Sequence, residues 1–252
     1  MSFKENKYEI VRNIISYEQA NFLFNYLMLK HDAIVHMTNR KWLPPRIADS
    51  QLVMEGPTGS QYPLTGYHSS SKDQVPGAYN IYGDHAMETL LMQLLPTISR
   101  ITNLTLVPGY SFARLYKKGN KLVRHKDRVS CEISTTIHLG GELWPIYLDP
   151  TGKSGVKKFY SINKVQLKKK RSKGMAITLD PGDMLIYRGA DLEHWRNPLK
   201  GNLCGQTFLH YSDKNGPFGE TNKLDRRPVL GFPFVHQKEV TPAEWEIKGF
   251  KK

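Results

Sequence analysis

Five short runs of strand-forming residues constrain the fold of this chain more than any other feature of its sequence. Each run is rich in β-branched, aromatic or other apolar residues, and turn-forming residues separate the runs. These turns include Lys-Lys-Gly-Asn at 117–120, Gly-Gly at 140–141 and Asp-Pro-Gly-Asp at 180–183. We therefore predict a barrel of short strands, with strands at 110–116, 131–139, 175–179, 184–187 and 203–211.

Helical spacing of apolar residues occurs upstream of these strands. The first predicted helix covers 17–30, where Ser16 and Gln19 have the spacing of an N-terminal capping box. The second covers 84–95 and is predicted to stop before Pro96, because proline lacks the N–H that a helix interior needs. The predicted fold class is mainly β with N-terminal helices.

Two histidines and an aspartate fall at predicted strand edges. His125 and Asp127 form an H-x-D triplet, and His194 follows the run at 184–187 after a short polar loop. An H-x-D triplet is common by chance, so its strand context carries the argument. Residues two apart on a strand point to the same side, so one metal ion would reach both. We predict a facial site of two histidines and one carboxylate, which leaves coordination positions open.

The order of these motifs resembles a known family. Tyr116, Gly119, the His125-x-Asp127 triplet, the Pro-Gly-Asp at 181–183, and His194 followed by Pro198 are similar to the iron(II)- and 2-oxoglutarate-dependent oxygenases. Within that superfamily the order resembles the prolyl 4-hydroxylase-like branch, over roughly residues 100–212. The resemblance implies a double-stranded β-helix, or jelly-roll, core. It also implies iron(II), 2-oxoglutarate and dioxygen, and it admits ascorbate as an accessory reductant.

The resemblance implies a dioxygenase that hydroxylates an unactivated carbon and releases succinate and carbon dioxide. A prolyl or other amino-acid side chain is the first substrate expected, so the partner would be a peptide or a small molecule. One alternative is oxidative demethylation of nucleic acid, suggested by the positive charge and by the aromatic residues Trp42, Tyr62 and Tyr67. Another alternative is a jelly-roll binding protein without turnover.

One departure from the family pattern keeps the non-catalytic alternative open. Family members carry an Arg or Lys shortly after the second histidine to hold the far carboxylate of 2-oxoglutarate, but this chain has Leu-Cys-Gly-Gln at 203–206. Arg114 is the preferred replacement because it lies two residues before Tyr116, which the family uses for the same carboxylate. Arg128 and Arg196 are weaker candidates. The predicted cosubstrate contacts are Arg114, Tyr116, Thr136 and Gln206, and the predicted ligand-orienting residues are Thr136 and Glu193.

The charge balance raises a question about partners. The chain of 252 residues has 36 Lys and Arg against 23 Asp and Glu, a formal net charge of +13. Many of these cations lie in a predicted hairpin at 151–174 between two core strands. Such a run is either a solvated loop or a positively charged surface that binds nucleic acid or an acidic polypeptide. Composition does not distinguish between these two possibilities.

Domain organisation and location follow from composition. We predict one domain, 1–252, with N-terminal helices and a lid segment in 1–104, the strand core in 105–212 and an extended C-terminal wrap in 213–252. No apolar stretch has the length of a membrane-spanning helix, so no membrane partner is expected. The only cysteines, Cys131 and Cys204, lie in predicted strands and indicate buried thiols in a reducing, cytoplasmic setting.

Overall fold

The computed structural model describes residues 3–39, 66–69, 73–152 and 172–232. Its strands are β1 Tyr8–Val11, β2 Tyr67–His68, β3 Tyr79–Tyr82, β4 Leu106–Lys117, β5 Leu122–His125, β6 Ile133–Gly141, β7 Ile146–Leu148, β8 Met175–Ile177, β9 Met184–Tyr187, β10 His194–Arg196 and β11 Leu203–Asp213. Its helices are α1 Phe3–Asn6, α2 Tyr17–Asn39, α3 His85–Thr102 and α4 Gly219–Asn222, and short 3-10 turns cover Val129–Cys131 and Lys223–Arg226. The prediction of a mainly β fold with N-terminal helices is confirmed.

The strands form two antiparallel sheets. The larger has the order β1-β9-β6-β11-β4-β3-β2, and the smaller has the order β5-β10-β7-β8. Successive residues of β4 alternate between two environments: Ala113 and Leu115 lie in the main apolar core, whereas Arg114 and Tyr116 line a cavity between the sheets. The inner face of the large sheet therefore carries polar and aromatic groups, and this face positions the candidate site.

Two helices cover the outer face of the large sheet. Leu27 of α2 and Leu91 of α3 are fully buried in one core with Ile137 and Leu209 of the sheet. Asp84 caps α3 by accepting hydrogen bonds from the backbone N–H groups of the first turn. The same carboxylate accepts hydrogen bonds from Lys30 and Tyr26 of α2, so one side chain both caps α3 and ties the helices together.

Both predicted helices are longer in the structure than the sequence indicated. The backbone N–H of Gln19 donates to Ser16 Oγ at 3.1 Å, as the predicted cap requires, but α2 continues to Asn39. The prediction that the second helix stops before Pro96 is wrong, because α3 contains Pro96 and ends at Thr102. Pro96 lies on the exposed face of the helix, where water can satisfy the carbonyl that loses its intrahelical donor.

Several predicted features lie outside the described residues. These are most of the basic hairpin at 151–174, most of the lid segment between 40 and 80 with Trp42 and Tyr62, and the end of the C-terminal wrap beyond 232. In the described ranges, none of the helices has both the length and the apolar character needed to cross a bilayer. The organisation as one domain stays a prediction.

Candidate metal centre

The three predicted ligands meet at the mouth of the two-sheet core. His125 ends β5 and His194 begins β10, and the two residues are direct partners in the antiparallel pairing of these strands. Asp127 Oδ1 lies 3.3 Å from His125 Nε2 and 3.4 Å from His194 Nε2. One donor atom from each of the three residues lies within 4.8 Å of the others. Two imidazoles and one carboxylate so arranged suit iron(II) and leave other coordination positions open.

In both histidines Nδ1, the ring nitrogen that faces away from Asp127, already has a hydrogen-bond partner. His125 Nδ1 lies 2.8 Å from the carbonyl oxygen of Val123, and His194 Nδ1 lies 3.1 Å from that of Leu192. A carbonyl oxygen only accepts, so each Nδ1 carries a proton, and Nε2 is the nitrogen of each ring that faces Asp127. Such contacts fix the tautomer and ring orientation that a metal-binding histidine needs.

Asp127 is positioned by a loop and not by the strand that was predicted to carry it. The sequence placed His125 and Asp127 on one strand, but β5 ends at His125 and Asp127 lies in the following loop. Its backbone N–H donates to Gly189 O at 2.9 Å, and Ser134 Oγ donates to its Oδ2 at 2.8 Å. A Cβ at position 189 would collide with Asp127 Oδ2 and Ser134 Oγ. Glycine at 189 and serine at 134 therefore orient the carboxylate so that Oδ1 faces the histidines.

The charge state of Asp127 suits a ligand. Burial raises the pKa of this carboxyl, but His194 and His125 lower it more, so the pKa lies well below its usual range. Asp127 is thus an ionised carboxylate, the only anionic donor of the three.

A cavity of about 230 Å³ opens from the three ligands into the space between the sheets. Its walls are mainly aromatic, and Arg114 contributes a cation to them. The aromatic residues are Tyr110, Phe112, Tyr116, Tyr187 and Phe208. Such walls exclude water from the reacting atoms and strengthen the electrostatic interactions inside.

The four predicted cosubstrate residues separate into two pairs. Arg114 and Tyr116 line the cavity, where Arg114 Nε donates to Asn80 Oδ1 at 2.5 Å and its Nη1 approaches the Tyr116 hydroxyl at 3.4 Å. Thr136 and Gln206 lie outside the cavity lining and bond to each other, with Thr136 Oγ1 donating to Gln206 Oε1 at 3.0 Å. Their roles toward a cosubstrate stay predictions.

The remaining candidates have partners of their own. Arg128 forms an ion pair with Asp225 at 2.8 Å, and Glu193 forms one with Arg124 at 2.7 Å. Ser134, whose hydroxyl donates to the carboxylate of Asp127, was not among the residues predicted from the sequence. A signal for it exists, because Ser134, Thr136 and His138 occupy every second position of an otherwise largely apolar strand, and that period places all three on the inner face.

His138 lies fully buried on that inner face. Burial, followed by the positive charge of Arg196, lowers the pKa of its imidazole to about 4. The ring is therefore neutral in the folded protein near neutral pH, whereas it titrates at an ordinary pKa of about 6.5 when the chain is unfolded.

This difference predicts a pH-dependent stability. Between pH 6.5 and 4 the unfolded chain binds a proton at His138 more readily than the folded chain does, so lowering the pH through this window favours unfolding. The loss attributable to His138 should be about 3 kcal/mol. Urea titrations at several pH values would show a flatter pH profile for His138→Gln than for the parent. Parallel profiles would contradict the assignment.

Comparison with known proteins shows which solved structures share the fold of this chain. No family model and no curated protein matches the sequence. Among solved structures, the epimerase SnoN in complex with Fe3+, alpha ketoglutarate and nogalamycin RO has a TM-score of 0.54 and 12% identity, covering 92% of this chain and 90% of that one. AviO1 from Streptomyces viridochromogenes has a TM-score of 0.53 and 14% identity, covering 85% and 93%. HygX from Streptomyces hygroscopicus, with nickel, 2-oxoglutarate and hygromycin B bound, has a TM-score of 0.51 and 12% identity, covering 84% and 85%.

These similarities extend over most of each chain. They confirm the double-stranded β-helix that the sequence resemblance implied. At such low identity they establish the fold, and the function has to be argued from the site.

Proposed function

We propose that this protein is an iron(II)- and 2-oxoglutarate-dependent dioxygenase that hydroxylates an unactivated carbon. The observation that carries the proposal is the convergence of His125 Nε2, His194 Nε2 and Asp127 Oδ1, with both Nδ1 atoms held by backbone carbonyls. The fold is shared with SnoN and HygX, whose structures contain a metal ion and this oxoacid.

In this proposal each residue of the site has a separate role. His125, Asp127 and His194 hold the metal, Ser134 orients Asp127, and the aromatic walls exclude water. Iron and 2-oxoglutarate, when bound, supply the oxidation of a C–H bond with dioxygen and release succinate and carbon dioxide. The dianionic cosubstrate needs a buried cation, and among the described residues Arg114 lines the cavity, whereas Arg196 is buried two residues after His194 in β10 and lies outside the cavity lining.

The size of the cavity bears on the substrate class. Pockets that enclose whole drug-sized ligands measure roughly 300–1,000 Å³, and this cavity measures about 230 Å³ before any cofactor enters. A substrate would therefore insert one side chain or one ring and leave the rest outside. A prolyl or other amino-acid side chain, in a peptide or as a small molecule, meets this requirement.

Anaerobic titration with iron(II) and 2-oxoglutarate tests the proposal. A facial site that chelates both gives a weak visible charge-transfer band, and admission of air should then produce succinate, faster when a hydroxylatable peptide or amino acid is present. A protein that gives neither band nor succinate would be the non-catalytic jelly roll considered above. Succinate release stimulated by a methylated oligonucleotide and not by peptides would favour the nucleic-acid alternative.

Two finer predictions remain open. Nucleic-acid binding through the hairpin at 151–174 is an alternative that the composition leaves open, and most of that hairpin lies outside the described residues. The cytoplasmic location stays a prediction, and it is supported by Cys131 and Cys204, which are buried free thiols.

A further inference from the structure

Three consecutive residues after the last strand have an unusual backbone. Leu224, Asp225 and Arg226 have φ angles of 52°, 49° and 64°, in the left-handed region, and none of them is glycine. Residues with a Cβ adopt this region at a cost in energy, and runs of them are rare. Such a backbone persists where the surrounding contacts hold it, and it often accompanies a functional requirement. The contacts of Asp225 indicate what that requirement is.

The buried carboxylate of Asp225 joins two other parts of the chain. Only 3% of the residue is exposed. Its Oδ2 accepts a hydrogen bond from the Tyr82 hydroxyl of β3 at 2.7 Å and another from Arg128 Nη2 at 2.8 Å. Arg128 directly follows the ligand Asp127 in the chain. The ion pair therefore connects the left-handed turn to the loop that carries this ligand.

A second contact ties the same two segments together. The side-chain amide nitrogen of Asn222, in α4, donates to the carbonyl oxygen of Val129 at 2.9 Å and to Ser212 Oγ at 3.0 Å. Ser212 belongs to β11 of the large sheet. The amide thus links the loop after Asp127 to α4 and, through β11, to the large sheet.

These contacts support Asp127 from a side that its other partners do not reach. Ser134 orients its carboxylate, and Gly189 accepts its backbone N–H, so both act on Asp127 itself. The contacts of Arg128 and Val129 act on the backbone that follows the ligand. A ligand in a loop is held less precisely than one on a strand, so its position depends on such supports.

Resting on the proposed function, we propose that residues 219–227 form a clamp that positions Asp127 for metal binding. Asp225 and Asn222 are its positioning residues, and both lie outside the cavity lining. The left-handed turn then has a function, because it brings the carboxylate of Asp225 within reach of Arg128. By thermodynamic linkage, metal binding at Asp127 stabilises the clamp in return.

Iron(II) affinity tests the clamp. Anaerobic competition with a chromogenic chelator compares the parent with Arg128→Met and with Asp225→Asn, which keeps an acceptor for Tyr82 and removes the charge. Each variant should bind iron(II) about 10-fold more weakly, the lower end of the usual effect of losing a residue that orients a ligand. Arg128→Lys keeps a cation within reach of Asp225 and should bind within a few-fold of the parent. If Arg128→Met and Asp225→Asn both bind iron(II) as the parent does, the proposal is overturned.

A neighbouring ion pair supplies the matched control. The side chains of Arg188 and Glu132 are 30% and 9% exposed, close to the 31% and 4% of Arg128 and Asp225. This pair joins the chain just after β9 to the chain just before β6, and it includes no residue of the clamp. Arg188→Met should therefore leave iron(II) affinity near that of the parent. Equal losses in Arg188→Met and Arg128→Met would indicate a general loosening of the fold and would contradict the clamp.

Hydrogen exchange gives a readout that needs no variant. In the parent, iron(II) should slow the exchange of the backbone N–H groups in 219–227, and Asp225→Asn should lose most of this protection. A parent that binds iron(II) without protecting 219–227 would overturn the clamp and leave the iron site standing. A parent that binds no iron(II) would overturn the proposed function together with the clamp.

Discussion

Replacing Asp127 with alanine is expected to abolish iron(II) binding and succinate production while leaving the folded structure intact. Among the three described ligands Asp127 supplies the only anionic donor, and alanine offers no atom that binds a metal. The residue lies outside the apolar clusters that hold the two sheets together. Metal affinity by competition with a chromogenic chelator, and succinate release in air, are the measurements, and circular dichroism checks the fold.

Two serine variants test whether a loss of metal binding is specific to the site or comes from a general change in the fold. Ser134→Ala removes the hydrogen bond to Asp127 Oδ2 and should weaken metal binding by about 10–100-fold, the usual effect of losing a residue that orients a ligand. Ser111→Ala is the matched control, since Ser111 is equally buried on β4 and its hydroxyl has no partner among the described residues.

Normal iron affinity in Asp127→Ala would show that the assignment of the three ligands is wrong.

Strands β4, β9 and β11 and the ligands were predictable because their signals are local. Met-Leu-Ile-Tyr at 184–187 is an apolar run bounded by turn residues, and β9 covers those residues. The alternation at 110–116 and the run at 203–211 likewise lie within β4 and β11. His125 and His194 mark the ends of such runs, so the motif and its strand context together pointed to the site.

The pairing of the strands and the residues that position the ligands were not predictable in this way. Strands β1, β5, β7 and β10 have three or four residues, which is too short to establish a period. The position of Asp127 depends on Gly189, a contact between distant parts of the chain. The choice between Arg114 and Arg196 depends on which polar groups each finds after folding, and a sequence pattern does not record satisfied hydrogen bonds.

The buried ion pair between Arg227 and Glu88 should give the largest effect on stability. Arg227 Nη2 lies 2.5 Å from Glu88 Oε1, and the two side chains are 0% and 2% exposed. Glu88 belongs to α3, whereas Arg227 follows the last strand and also donates to Gly109 O on β4 at 3.1 Å. The pair thus fastens the segment after β11 to both the helix layer and the large sheet.

Arg227→Met should lower the free energy of unfolding by about 3–5 kcal/mol, because Glu88 would remain buried without its counterion. For a chain of this size that corresponds to a fall of about 10 °C in the unfolding temperature. The double variant Glu88→Leu/Arg227→Met should recover much of the loss, since no isolated charge remains. Lys7→Met is the control: the Lys7–Asp191 pair is 48% and 43% exposed and should contribute about 1 kcal/mol or less. If Arg227→Met were no more harmful than Lys7→Met in urea denaturation, the segment after β11 would be held by its apolar contacts and not by this pair.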